Sequence, residues 1–490
     1  MEGDLISKLC IAVLLYGSLA LALKPNLFSD VDKYLYRQWK AFLRALQSIQ
    51  YLYRGGDVIN DAYLRAGGLP FEISTPGKVH KMVTSRQHIY EINHAPVHQL
   101  SLHAVAKEFL QPKYTMHGFE WKDIRGVEGT GFVRALRHTL TNYLPNLTGS
   151  LSPLIADEIT KGGQEKPCHH NWTTPIFFGQ ELCDNPEFFE AAHQFPHDAA
   201  LAAEIIRILP LSIGRIANHE DVWKDGLQWL IDTAPKKAAW SVHRIVGEVM
   251  GIWYGSVHTL GIVSTSLSPI TDADSLSNPS FALNKGVTYA LHDIYSHPEC
   301  MDPIIQELKN TNLDAFSGAP HELPVLDSVL KESARLSAFE CTGIRRKALE
   351  PFTFSDGLSV ARGEWVCVPH RSMMRDSRFF PNALEFQPFR FYQPPKEDGG
   401  GRGFPDRGSF LTDASDSWLV WGSGRILCPG RFYATAVQKL VVAQMLLGYD
   451  CELAPLPGPR SMQWRSTIVP KPSIQLLVKE KKTWLSLHVE

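Results

Sequence analysis

The residue best placed to do chemistry is Cys428, in the segment Trp421–Gly430, which reads WGSGRILCPG. Gly422 and Gly424 let the backbone adopt positive φ or pass close to a flat ligand. Pro429 and Gly430 follow the cysteine and lead into an apolar helical pattern carrying Tyr433, Val437, Leu440, Val441, Met445 and Leu446. Cys428 therefore stands just before a helix N-terminus, where amide N–H groups and the helix dipole favour thiolate. A glycine-walled loop presenting one cysteine ahead of a helix suits a thiolate metal ligand. Read alone, the segment equally describes a tight turn around a buried thiol.

Two further segments precede it. Leu330–Leu336 (LKESARL) places Glu332 and Arg335 three apart, on one face of a helix. Phe386–Phe391 (FQPFRF) holds Arg390 in a Pro-rich stretch of little periodicity. In this order, the three segments resemble the Glu-x-x-Arg helix, the aromatic-x-Pro-x-Arg meander and the haem loop of the cytochromes P-450. The resemblance implies haem b with Cys428 as axial thiolate, and a buried structural cluster of Glu332, Arg335 and Arg390. It also implies a mainly α fold with a minor β part, in one large haem domain. One position departs from the pattern: Ile426 stands where the family often has a basic residue toward a haem propionate, and Arg425 lies one place earlier.

The same resemblance extends upstream. Gly255-Ser-Val-His-Thr sits late in the helical pattern Lys236–Ile262 and is similar to the family's oxygen-activating helix. Thr259 takes the place of the proton-relaying threonine, and His258 stands where an acid is usual; histidine can also relay protons near neutral pH. Trp253, Tyr254 and Val257 are candidate pocket linings. Arg137 (with Arg134 as its neighbour) follows the Gly126–Gly131 loop and, with His370, is a candidate propionate donor. Arg431 and Lys439 are expected on a basic proximal face toward an electron donor. Lys113–Trp121, Phe177–Asn185 and His297-Pro-Glu look like fungal members that oxidise terpenoids and related secondary metabolites.

The positioning elements come from periodicity. Asp32–Tyr53 reads as a helix. Glu72–Asn93 reads as a small sheet crossed by a short helix, and Phe132–Ile159 as a helix punctuated by Pro145 and Pro153. Ala191–Ile216 is another long helical pattern. Val287–Lys309 is interrupted at Pro298 and Pro303, and Val325–Ser337 forms a helix after Pro324. Asp356-Gly357 marks a hairpin turn. Val263–Lys285 is anomalous, because polar residues and little periodicity break the chain just after Thr259. It reads either as a surface loop or as a retained intron.

The 490 residues are 44% hydrophobic and 20% charged, with net charge −2. This is globular material, and the charge argues against bulk binding to nucleic acid. Eight scattered cysteines make no CxxC pair and no disulfide framework. Leu5–Leu23 is an apolar run with basic residues after it. It predicts an uncleaved anchor over 1–24, with residues 25–490 as the haem domain facing the cytosol at the endoplasmic reticulum membrane. No flavin or nicotinamide fingerprint occurs, so an NADPH-dependent cytochrome P-450 reductase is the expected partner and an apolar small molecule the expected substrate. The implied reaction inserts one oxygen atom from O2. Three other readings stay open. A haem-thiolate isomerase or dehydratase would need neither O2 nor reductase. A membrane-tethered protein could bind without catalysis. A metal hydrolase could use Cys168, His169 and His170, or His292 and His297, although these spacings match no zinc motif.

Overall fold

The computed structural model describes residues 30–115, 130–161, 240–253, 264–269, 281–282, 285–393, 410–471 and 473–481. Helix α1 (Asp30–Ala66) is kinked at Arg54. Its Gly55 abuts the Arg465 backbone so closely that an added Cβ would lie 1.9 Å from the Arg465 carbonyl oxygen. Strands β1 (Phe71–Thr75) and β2 (Lys78–Met82) form a hairpin, and α2 (Arg86–His94) starts at Ser85, whose hydroxyl caps the His88 amide. Then come β3 (Leu100–Ser101) and α3 (Leu102–Leu110).

The chain from Gly131 to Lys161 is helical throughout: α4 (Gly131–Arg134), a π-helical turn over Ala135–Leu140, and α5 (Thr141–Lys161). Pro145 and Pro153 were expected to punctuate this stretch, but α5 runs through both. Tertiary burial of Leu144, Leu151 and Ile155 outweighs the lost backbone bonds. Next come α6 (Val242–Trp253), β4 (Ser264–Pro269), β5 (Phe281–Ala282), α7 (Lys285–Ser296) and α8 (Met301–Lys309). The chain breaks at Pro298 as expected. Pro303 lies in the first turn of α8, where no intrahelical N–H is lost, and does not interrupt it.

Helix α9 (Pro324–Leu336) opens with proline at its first position. There follow β6 (Gly343–Ala348), β7 (Phe352–Thr353), β8 (Ser359–Val360), β9 (Trp365–Val368), α10 (His370–Met374) and α11 (Arg431–Gly448). The end of the chain adds β10 (Tyr449–Leu453), β11 (Ser461–Trp464), β12 (Thr467–Pro470) and β13 (Gln475–Glu480). Strands β7 and β8 pair around Asp356-Gly357, with Gly357 at φ +90°, as the turn signal predicts.

The larger sheet has the order β1-β2-β9-β6-β3, and the second β10-β13-β4-β5. The anomalous segment thus contributes β4, parallel to β13, and β5, antiparallel to β4. The main core joins α5, α6, α7, α8, α9 and α11 through residues such as Ile155, Ile252, Ile294, Ile304, Val329 and Leu440. Among the described residues no helix is long and apolar enough to cross a membrane. The expected anchor, residues 1–24, lies outside them, as does Ala191–Ile216.

Candidate functional site

The Cys428 loop is built by its glycines. Gly422 has φ +81° and Gly424 φ +61°, and a Cβ on Gly424 would stand 2.8 Å from Asn93 Cγ. Only glycine tolerates both the angle and the approach. The Cys428 amide donates to the Trp421 carbonyl at 2.8 Å and closes the loop. Trp421 Nε1 in turn donates to the Leu411 carbonyl at 2.6 Å. Arg431, the first residue of α11, donates from Nη1 to the Cys428 carbonyl at 3.0 Å. Cys428 is a free thiol. Burial pushes its pKa up, opposed by the Gly430 and Arg431 amides and the Arg431 guanidinium. The sulfur therefore sits where a metal ion would displace its proton and amide donors would steady the resulting thiolate.

Basic side chains converge on this loop. Arg425 Nη2 donates to the Ala95 carbonyl at 2.9 Å, and Arg137 Nη2 reaches the Arg425 carbonyl at 3.4 Å. A third arginine escaped the sequence reading. Arg346 on β6 is only 3% exposed. Burial, with Arg425 nearby, depresses its pKa to about 10. Its Nη1 donates to the Arg345 carbonyl at 2.9 Å. Among the described residues no carboxylate forms an ion pair with Arg346 or Arg425. The signal was present in β6, whose residues alternate in burial with Arg346 at a buried place. A charge there without a partner implies an anion still to come. One soft sulfur beside guanidinium groups lacking carboxylates suits a flat metal chelate bearing acid groups, and haem meets that description.

A buried charge cluster is centred on Glu332 of α9. Arg335 donates to Glu332 through Nε at 2.7 Å and Nη2 at 2.8 Å. Arg390 Nε lies 3.0 Å from both Glu332 oxygens, and the Gln387 amide adds a bond to Oε1 at 3.0 Å. Arg335 Nη1 also holds the carbonyls of Met374 and Ala383, each at 2.6 Å. The helix, the meander and α10 are thereby tied together. Lys439 requires a correction. It is 1% exposed, not on a basic surface, and pairs with Asp327 at 2.8 Å. Its place on α11 faces the core, which the sequence stripe did not reveal. Arg431 is partly buried and bonded to the Thr412 and Cys428 carbonyls.

His370, the first residue of α10, is buried. It packs on Gly343, where a Cβ would be 2.4 Å from its Nδ1, and it hydrogen-bonds the Glu340 backbone. His258, Thr259, Tyr254, Val257 and the Trp253 side chain fall outside the described residues. So do Cys168, His169 and His170. Among the described residues no three His, Cys, Asp or Glu side chains group as a metal site. His292 instead faces Arg460 at 3.2 Å.

These features suit a fold that would hold haem through a cysteine thiolate. A solved chain described as retinoic acid-bound cyanobacterial CYP120A1 superposes with a TM-score of 0.61, covering 89% of this chain and 96% of that one at 16% identity. Residues 284–478 match the family model for cytochrome P450. The cytochrome P450 monooxygenase ptmQ of Penicillium ochrochloron is 24% identical, across 89% of this chain and 90% of that protein. The monooxygenase penQ of Penicillium crustosum is 23% identical, across 89% of each chain. Over residues 284–478 the chain carries the pattern of the cytochrome P450 family, and that pattern and the fold imply haem held by a cysteine thiolate. The names of these relatives are consistent with an oxidoreductase of the monooxygenase type.

Proposed function

We propose that Cys428 supplies the axial thiolate, and that Arg137, Arg425 and Arg346 receive the haem propionates. The reaction is insertion of one oxygen atom into an apolar small molecule, a terpenoid or related fungal secondary metabolite. The observation that carries this reading is the free Cys428 thiol in its glycine-built loop, beside buried guanidinium charge that has no carboxylate partner among the described residues. Similarity to Penicillium proteins named as monooxygenases supports the insertion of one oxygen atom.

Bound haem supplies oxygen activation, and sulfur donation favours O–O cleavage. The protein's own part is to orient substrate and govern protons. Thr259 and His258 relay protons on the substrate side. The anchor at 1–24 holds the catalytic domain on the cytosolic face of the endoplasmic reticulum, within reach of an NADPH-dependent cytochrome P450 reductase.

The test is a carbon monoxide difference spectrum of the reduced full-length protein, followed by incubation with terpenoids, NADPH and reductase. A thiolate-type Soret band and reductase-dependent oxygenated product are expected. Product formed without reductase would overturn the monooxygenase reading; a missing Soret band would overturn haem ligation itself.

A further inference from the structure

One buried carboxylate joins α6 to the start of the helical stretch that bears Arg137. Glu248 on α6 is 2% exposed. Its Oε1 accepts the Gly131 amide at 3.0 Å and its Oε2 the Phe132 amide at 2.9 Å. Helix starts usually cap themselves with a local hydroxyl or carboxylate. Here Thr130 stands at the cap position, yet its side chain makes no cap bond and its buried Oγ1 has no partner among the described residues. The cap is delivered instead from a helix more than a hundred residues later.

The surroundings are built around this contact. Trp240, Arg244 and Glu248 are spaced by four residues. Trp240 covers Gly131 so tightly that an added Cβ would lie 2.0 Å from its ring. Arg244 lies over the Trp240 ring at 4.0 Å and within 3.8 Å of Glu248 Oε1. Arg134 lies 5.9 Å from the same ring. Burial raises the Glu248 pKa, while the two amides and the positive charges of Arg244 and Arg134 oppose the rise.

The capped turn is short and leads directly into the π-helical turn that carries Arg137. A four-residue turn gains little from its own hydrogen bonds, and a π-turn shifts every side chain it bears relative to an α-helix. The direction of Arg137 toward the Arg425 carbonyl therefore depends on what holds Gly131 and Phe132. We propose that Glu248 is a positioning residue: its carboxylate fixes the start of the helix bearing Arg137 and so sets that arginine against the cysteine loop. The same bond ties this helical stretch to α6. This inference rests on the reading of Cys428 and Arg137 as haem-binding residues.

The experiment measures haem transfer from full-length holoprotein to apomyoglobin, beside thermal unfolding. Glu248→Gln keeps the shape but loses the charge and one acceptor. Haem loss is expected to accelerate by on the order of tenfold. Glu248→Asp, which retains the carboxylate, falls between Gln and wild type and serves if the Gln variant does not fold. Glu307→Gln is the matched control, because Glu307 also caps two amides, those of Val325 and Leu326 at 2.8 and 2.9 Å, on a different helix. It should lower the unfolding temperature without speeding haem loss. Combined with Arg137→Met, Glu248→Gln should add little further acceleration, since both act through one side chain. An unchanged transfer rate in Glu248→Gln, equal acceleration in Glu307→Gln, or full additivity with Arg137→Met overturns the proposal. A wild-type protein that binds no haem overturns the underlying haem reading as well, and is told apart by its spectrum.

Discussion

Arg335 grips Glu332 with two parallel hydrogen bonds of 2.7 and 2.8 Å, and neither side chain has any solvent exposure. Removing one partner strands the other charge in the core. Glu332→Ala and Arg335→Leu are each expected to destabilise the fold by about 3–5 kcal/mol. Arg390, 9% exposed, reaches the same carboxylate, so Arg390→Leu should be milder. Chemical denaturation of the three variants checks the ranking. An Arg335→Leu protein as stable as wild type would refute the argument.

Arg346 predicts opposite effects on the two forms of the protein. Among the described residues its buried charge is hydrogen-bonded to the Arg345 carbonyl and meets no carboxylate, and Arg425 repels it. Arg346→Met removes an uncompensated charge, so the apoprotein should unfold at a higher temperature. The holoprotein should lose haem faster, since an anion partner is gone. The checks are unfolding temperatures with and without haem, and haem transfer to apomyoglobin. A fall in apoprotein stability would count against the electrostatic account.

Much of this arrangement was legible in the sequence, and the rest was not, for physical reasons. Glu332, Arg335 and Arg390 could be read because a helix face and a Pro-rich segment follow local rules. The Gly422–Cys428 loop could be read because positive φ demands glycine. Arg346 was missed because its burial depends on strands β3 and β9 pairing on either side of β6, a non-local fact. Lys439 was misplaced because its partner, Asp327, lies on α9, far away in sequence. The Glu248 cap was illegible for the same reason, because Gly131 and Phe132 lie more than a hundred residues before it.

His370 makes stability depend on pH. Burial first, then the charge of Arg345, hold its pKa at about 4 against an ordinary 6.5. An unfolded chain takes up this proton near pH 6.5, while the folded one resists until about 4. Across that window the unfolded state binds more protons, so stability falls as pH drops from 6.5 toward 4, by at most roughly 3 kcal/mol. Above pH 6.5 this residue contributes no slope. His370→Asn should flatten the dependence between pH 4 and 6.5 in urea unfolding series. A variant with the wild-type slope would show that other groups carry it.

Cys428 offers the sharpest chemical test, because its loop is held by groups other than the sulfur. Gly422, Gly424, the 2.8 Å Cys428–Trp421 backbone bond and the Arg431 contact all survive replacement of the side chain. Cys428→Ser should therefore fold, with an unfolding temperature of the apoprotein close to wild type. It should nonetheless lose the thiolate-type spectrum in carbon monoxide, since a hydroxyl gives iron far less electron density than a thiolate. Turnover should drop by on the order of a thousandfold, equivalent to about 4 kcal/mol of barrier. Cys428→His separates ligand chemistry from haem retention, because imidazole can hold iron without supplying the same electron density. It should bind haem and show a Soret band, but not the thiolate one, and should not restore turnover. If either variant kept the wild-type spectrum and rate, the iron ligand would have to be sought elsewhere in the chain.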